Sequence, residues 1–96
     1  MIIIKTPEEI DRMRVSGRMA GEVLDAVSRS ASPGVTTREL DDYATELIRK
    51  CGGESAFFGY RGYPGHICVS VNEEVVHGIP GPRRIRMGDV VSLDVG

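Results

Sequence analysis

Residues 67–96 read ICVSVNEEVVHGIPGPRRIRMGDVVSLDVG, and the way this run divides decides the fold. β-branched residues crowd between Gly and Pro, so ICVSVN (67–72), EVVHGI (74–79) and GDVVSLDVG (88–96) read as strands, as does ESAFFGY (54–60) before them. Strand side chains alternate faces: Val91, Leu93 and Val95 share one, Val90, Ser92 and Asp94 the other. Asp94 is the anomaly. A carboxylate buried on such a strand needs a counter-charge, hydrogen bonds or a metal, because its ionised form is otherwise too costly.

Upstream the pattern changes from strand-like to helical. In TPEE, Thr6 can cap, Pro7 suits the first helical position and Glu9 can close a capping box. Ile10, Met13, Gly17, Ala20, Leu24 and Val27 then follow at spacings of three and four, which predicts a core-facing stripe. SASPG ends that helix. VTTREL opens a second, with Thr36 as cap, Glu39 three residues on and Val35 placed to pack on Leu40. Leu40, Tyr43, Ala44, Leu47 and Ile48 carry its apolar face until Cys51 meets Gly52 and Gly53, residues that stop a helix. Ile2 to Ile4 read as a short strand or an apolar tether. Helices followed by strands predict an α+β layer, two helices packed on one face of a mostly antiparallel sheet, with Phe57, Phe58, Val69, Val71 and Val75 as the strand contribution to the core.

A chain of 96 residues is one domain at most, able to bury roughly two-thirds of its unfolded surface. With 41% hydrophobic residues, 27% charged and a formal net charge of −2, nothing in the bulk composition attracts nucleic acid or an anionic membrane. The cluster Arg83, Arg84 and Arg86 reads as a solvated loop. The apolar start is too short for a signal peptide or a membrane span, and Cys51 and Cys68 form no dense disulfide framework; a cytoplasmic protein with reduced thiols is expected.

Side chains with chemistry cluster after residue 57: Tyr60, Tyr63, His66, Cys68, His77 and Asp94. His66 and Cys68 stand two apart and would share a strand face, but no second Cys pair or H-x3-H follows, so zinc held by this pair is not expected. Tyr60 and Tyr63 flank the loop YRGYPG, where they wall a pocket or cover the sheet end; composition alone favours cover. His77 sits where a strand runs into a Gly-Pro turn, a placement that exposes an imidazole at the sheet rim.

The run GYRGYPGHICVSVNEEVVHGIPG (59–81), followed by GDVVSLDVG and preceded by SPGVTTRELD (32–41), resembles the type I methionine aminopeptidases, with the motifs in that family's order and spacing. Proline-specific aminopeptidases of the same fold are a distant second. The resemblance implies the N-terminal half of a pita-bread (creatinase/aminopeptidase-like) fold, residues 1–96 being a truncated catalytic domain. It implies removal of the initiator methionine from nascent proteins by a cytoplasmic, monomeric enzyme using two divalent metal ions (Co, Mn, Fe or Zn). Asp94 matches one metal ligand. His77 matches the histidine that hydrogen-bonds the scissile peptide and assists the leaving group. Phe57, Tyr60, Tyr63 and Cys68 fall on positions that line the methionine pocket. The partner implied is the N-terminus of a nascent polypeptide, with room for the ribosome beside it; no nucleic acid or membrane is implied.

The other metal ligands would lie beyond Gly96. One carboxylate does not hold two metal ions, so these 96 residues alone are expected to bind no metal and to be inactive. A strand that stops just after a carboxylate also leaves an open sheet edge, which complete domains protect. The alternative expectation is a non-catalytic half-module that self-associates about a twofold or binds a partner.

Overall fold

A computed structural model describes residues 2–96; Met1, the first letter of the MIIIK run and of the 1–96 span, lies outside the described residues. Helix α1 spans Pro7–Ser30 and helix α2 spans Thr37–Lys50. Strands β1 (Cys68–Val71) and β2 (Val91–Asp94) pair antiparallel. α1 packs on α2, α2 also lies against β1 and α1 against β2, so both helices cover one face of the sheet as the sequence predicts.

Both helices start where their capping boxes say. Thr6 Oγ1 accepts from the Glu9 N–H at 3.2 Å while Glu9 Oε1 accepts from the Thr6 N–H at 2.8 Å, and these bonds to Thr6, backbone first, hold the Glu9 carboxyl below its usual range. Thr36 and Glu39 repeat the exchange at α2, with 3.0 and 3.3 Å bonds. α2 ends at Cys51, after which Gly52 takes the left-handed φ of +79° that stops the helix.

The core is the meeting of Val23 and Val27 from α1, Leu40, Ala44 and Ile48 from α2, Ile67 and Val69 at β1, and Ile85. Val91, Leu93 and Val95 pack against it from β2, as their alternation requires. Burying each large apolar side chain contributes about 1.5–3 kcal/mol.

Three expectations are corrected. The α1 stripe is buried only toward its end: Val27 is buried and Ala20 half-buried, whereas Ile10, Met13 and Leu24 are exposed and Val23 takes the inward place. A 24-residue helix is about 36 Å long and a four-residue strand only about 13 Å, so the sheet runs out beneath the first half of α1. ESAFFGY and EVVHGI are not strands. The first is a loop closing on a single tight turn at Tyr60–Gly62, and the second wraps the outer edge of β1, leaving Phe58 and Val75 exposed rather than in the core. Ile2 to Ile4 form no strand and are exposed. Among the described residues no helix is long and apolar enough to cross a membrane.

The edge of β1 away from β2 is closed locally. Val69 N–H donates to Gly78 O at 3.0 Å and Val71 N–H to Glu74 Oε1 at 3.1 Å, while Arg83 ties Glu73 and Glu74 at 2.7 and 3.2 Å. The chain then docks on the start of α2. Thr37 Oγ1 donates to Gly81 O and accepts from Gly81 N–H, and the Thr37 and Arg38 N–H groups donate to Arg83 O and Gly81 O. Two helix-terminal donors thus find backbone partners instead of water.

Candidate active site

Strand alternation divides the sheet chemically as well as by burial. Ile67, Val69, Val71, Val91, Leu93 and Val95 face the helices; Cys68, Ser70, Ser92 and Asp94 face away, with Cys68 opposite Asp94 and Ser70 opposite Ser92 in the register. Over the β1 half of this second face lies a cavity of about 540 Å³, a size suited to a small side chain or ligand. Phe57, Tyr60, Tyr63, Cys68 and His77 all line it, with Arg61, Pro64 and Ile79 completing the wall. Of the alternatives left open for Tyr60 and Tyr63, pocket wall is the arrangement found.

The loop reaches this position through a compact set of bonds. Ser55 Oγ accepts from the Phe57 and Phe58 N–H groups at 3.1 and 3.3 Å and donates to His66 O, fixing the loop base. Gly59 turns the chain at φ +81°, and Arg61 follows at +49° with its guanidinium 5.3 Å above the Tyr60 ring. Tyr63 packs edge-on to Phe57 at 6.4 Å. Its hydroxyl lies 3.0 Å from Ile67 O and 3.2 Å from Gly78 O, so one phenol ties the loop to both β1 and the His77 turn. Burial, then the hydrogen bond with Cys68, raises the Tyr63 phenol well above its ordinary value.

His77 is exposed at the cavity rim with a left-handed φ of +56°. Gly78 behind it is buried against β1: a Cβ there would overlap Val69 O and stand 2.8 Å from both Val69 C and Ser70 Cα. Rim placement of His77 follows the sequence expectation, although a loop and not a strand leads into it. Asp94 departs from expectation by being exposed. Water solvates it there, so the carboxylate needs no buried partner within these residues.

His66 and Cys68 do not share a site. β1 begins only at Cys68, and His66 turns to the opposite side, stacked on Phe58 with ring centroids 4.3 Å apart and its Nδ1 3.7 Å from Asp41 Oδ2. Asp41 itself was missed from the sequence. It is buried, and its Oδ1 accepts from the His66 and Ile67 N–H groups at 2.7 and 2.9 Å, locking the entry to β1 onto α2. The signal was the polar stripe Thr37, Asp41 and Thr45 at every fourth residue, flanking the apolar face of α2.

Among the described residues no group of three or more His, Cys, Asp or Glu side chains comes together that could hold a metal ion. Asp94 is one hard oxygen donor, and divalent cations require several. The donors present do not by themselves make a metal centre.

Methionine aminopeptidase 1 of Bacillus subtilis is 48% identical over 96 residues, covering 100% of this chain and 39% of its own length. The crystal structure of the Rickettsia prowazekii methionine aminopeptidase superimposes with a TM-score of 0.95 at 38% identity, over 99% of this chain and 38% of that one. The Thermotoga maritima methionine aminopeptidase does so with a TM-score of 0.95 at 43% identity, over 99% and 39%. The chain therefore spans about two fifths of the length of these relatives, and the expected α+β portion of a pita-bread fold is borne out. Residues 11–96 match the model of metallopeptidase family M24, and with nearly the whole chain inside that match, this protein belongs to metallopeptidase family M24.

Proposed function

We propose that this chain supplies the methionine-recognising wall and the leaving-group histidine of a metal-dependent methionine aminopeptidase, which removes the initiator methionine from nascent polypeptides in the cytoplasm. The observation that carries the reading is the convergence of Phe57, Tyr60, Tyr63, Cys68 and His77 on one cavity. A thioether side chain suits that wall, since its polarisable sulfur packs well against aromatic edges and another sulfur. Burying it contributes roughly 1.5–3 kcal/mol, enough to favour methionine over small residues by about one to two decades.

His77, at the rim, donates a hydrogen bond to the scissile peptide and holds a proton for the departing amine. Asp94, on the same face of the sheet, is one ligand to the metal, and the remaining ligands come from polypeptide beyond these 96 residues. The free chain is accordingly inactive.

The test is hydrolysis of a Met-Ala-type peptide with added Mn, Co or Fe. The full-length protein is expected to release methionine and its His77→Ala variant to lose turnover, while the 96-residue chain shows none. Turnover by the 96-residue chain itself would overturn the assignment of the missing ligands, and a full-length protein inert with every metal and sedimenting as a twofold dimer would favour the non-catalytic half-module.

A further inference from the structure

We infer that Ser70 is a positioning residue for His77, an assignment that rests on the aminopeptidase reading for its catalytic consequence but on backbone geometry for its existence. A histidine at φ +56° is in a conformation that non-glycine residues leave unless their surroundings hold them. His77 is exposed, so the restraint has to come through its neighbours in the chain.

That neighbour is Gly78. Its N–H, which belongs to the peptide joining it to His77, donates to Ser70 Oγ at 3.0 Å. Its carbonyl accepts from Val69 N–H at 3.0 Å and from the Tyr63 hydroxyl at 3.2 Å. The carbonyl bonds and the close packing on β1 fix where Gly78 sits; the Ser70 bond is the one that the N–H of the His77–Gly78 peptide makes, and it sets how that peptide is turned. Ser70 is 4% exposed and lies on the same strand face as Cys68, so its hydroxyl is held by the sheet and not by solvent. Without that acceptor the peptide rotates about His77 ψ and Gly78 φ, the left-handed turn is no longer held through its second torsion, His77 then relaxes to negative φ and the imidazole swings away from the cavity rim. The wall formed by Tyr63 and Cys68 stays in place, because neither depends on this bond.

Ser70→Ala in the full-length protein separates the two effects. NMR is expected to show Gly78 amide exchange about tenfold faster, the loss of one hydrogen bond, and the left-handed coupling and carbon-shift signature of His77 gone. With a Met-Ala peptide, kcat is expected to fall about tenfold while KM stays within about twofold. Ser70→Thr, which keeps the hydroxyl, restores all of these. If Ser70→Ala fails to fold, Ser70→Cys replaces it, similar in shape and a weak acceptor, with the same expected changes. An unchanged Gly78 exchange rate and His77 signature in either variant would overturn the inference, as would a KM effect equal to the kcat effect. Absence of turnover in the wild-type protein would defeat the aminopeptidase reading alone; the two NMR readouts would still decide for or against Ser70.

Discussion

Replacing Asp41 with alanine tests how the entry to β1 is held. Asp41 is 8% exposed as a residue, and its carboxylate accepts from two consecutive amides, His66 at 2.7 Å and Ile67 at 2.9 Å. Ile67 is fully buried, so water cannot replace the carboxylate at its N–H without opening the core. Leaving a buried donor unsatisfied costs about 1–3 kcal/mol, so truncation that orphans both amides should destabilise by about 2–5 kcal/mol. Against a total stability of about 5–15 kcal/mol this is a large share, and for a chain of this size it lowers Tm by on the order of 10–30 °C. Asp41→Asn keeps one carbonyl oxygen for the same donors and is expected to cost about 1 kcal/mol. Thermal and urea unfolding followed by circular dichroism measure both. Equal stability of the wild type and Asp41→Ala, within about 0.5 kcal/mol, would refute the claim that this carboxylate joins β1 to α2.

Gly78→Ala is expected to lift the His77 turn off β1, since its Cβ has no space beside Val69 and Ser70; losing its three bonds costs about 2–4 kcal/mol, read as a roughly 30- to 700-fold rise in Val69 amide exchange. Tyr63 gives a pH test: folding raises its phenol pKa, so its contribution is complete below about pH 10 and is lost as pH climbs from there through the folded value. The stability difference between the wild type and Tyr63→Phe in urea should therefore shrink above pH 10, and a constant difference from pH 8 to 12 would contradict it. Asp89, held low first by the Arg86 amide and next by Asn72, behaves oppositely: its contribution is present above the ordinary carboxylate value and lost as pH falls through its lowered one, which Asp89→Asn should abolish in an acid titration of the unfolding midpoint. His77→Ala in the full-length protein should cut kcat with a Met-Ala peptide by about 10²–10⁴-fold; a loss below threefold would remove His77 from the reaction.

What was legible in the sequence was local. Each capping box lies within four residues, Thr6 to Glu9 and Thr36 to Glu39, and both form as written. The alternation in VSLD needs only adjacent residues, and it sorted Leu93 from Asp94 correctly. Burial along α1 was not local: whether Ile10 or Val23 faces the core depends on where a strand more than sixty residues later ends. EVVHGI has strand composition, yet Gly78 sits too close to β1 and His77 turns left-handed, so the segment seals an edge with one backbone bond instead of extending the sheet. Phe57 and Cys68 were placed at a pocket only through resemblance, and for Tyr60 and Tyr63 the residues alone favoured cover over wall; they became a wall because Gly59 and Arg61 fold the loop back, which composition does not encode.

The same register that builds the core also builds the site. Slipping β1 by one residue against β2 would turn Val69 and Val71 outward and bring Cys68 and Ser70 under the helices, exchanging buried apolar side chains for buried polar groups. The apolar face thus fixes where Cys68, Ser70 and Asp94 stand, at no additional cost in local strain. Tyr63 extends this coupling to the loops: its ring lines the cavity while its hydroxyl caps Ile67 O and Gly78 O, the first at the entry that Asp41 grips and the second behind His77. The cavity wall and the fold therefore share one set of bonds. A change that loosens the β1 entry should disturb the cavity wall before it unfolds the chain, and the Asp41 variants should show altered Tyr63 and His77 resonances at temperatures where circular dichroism still reports intact helices.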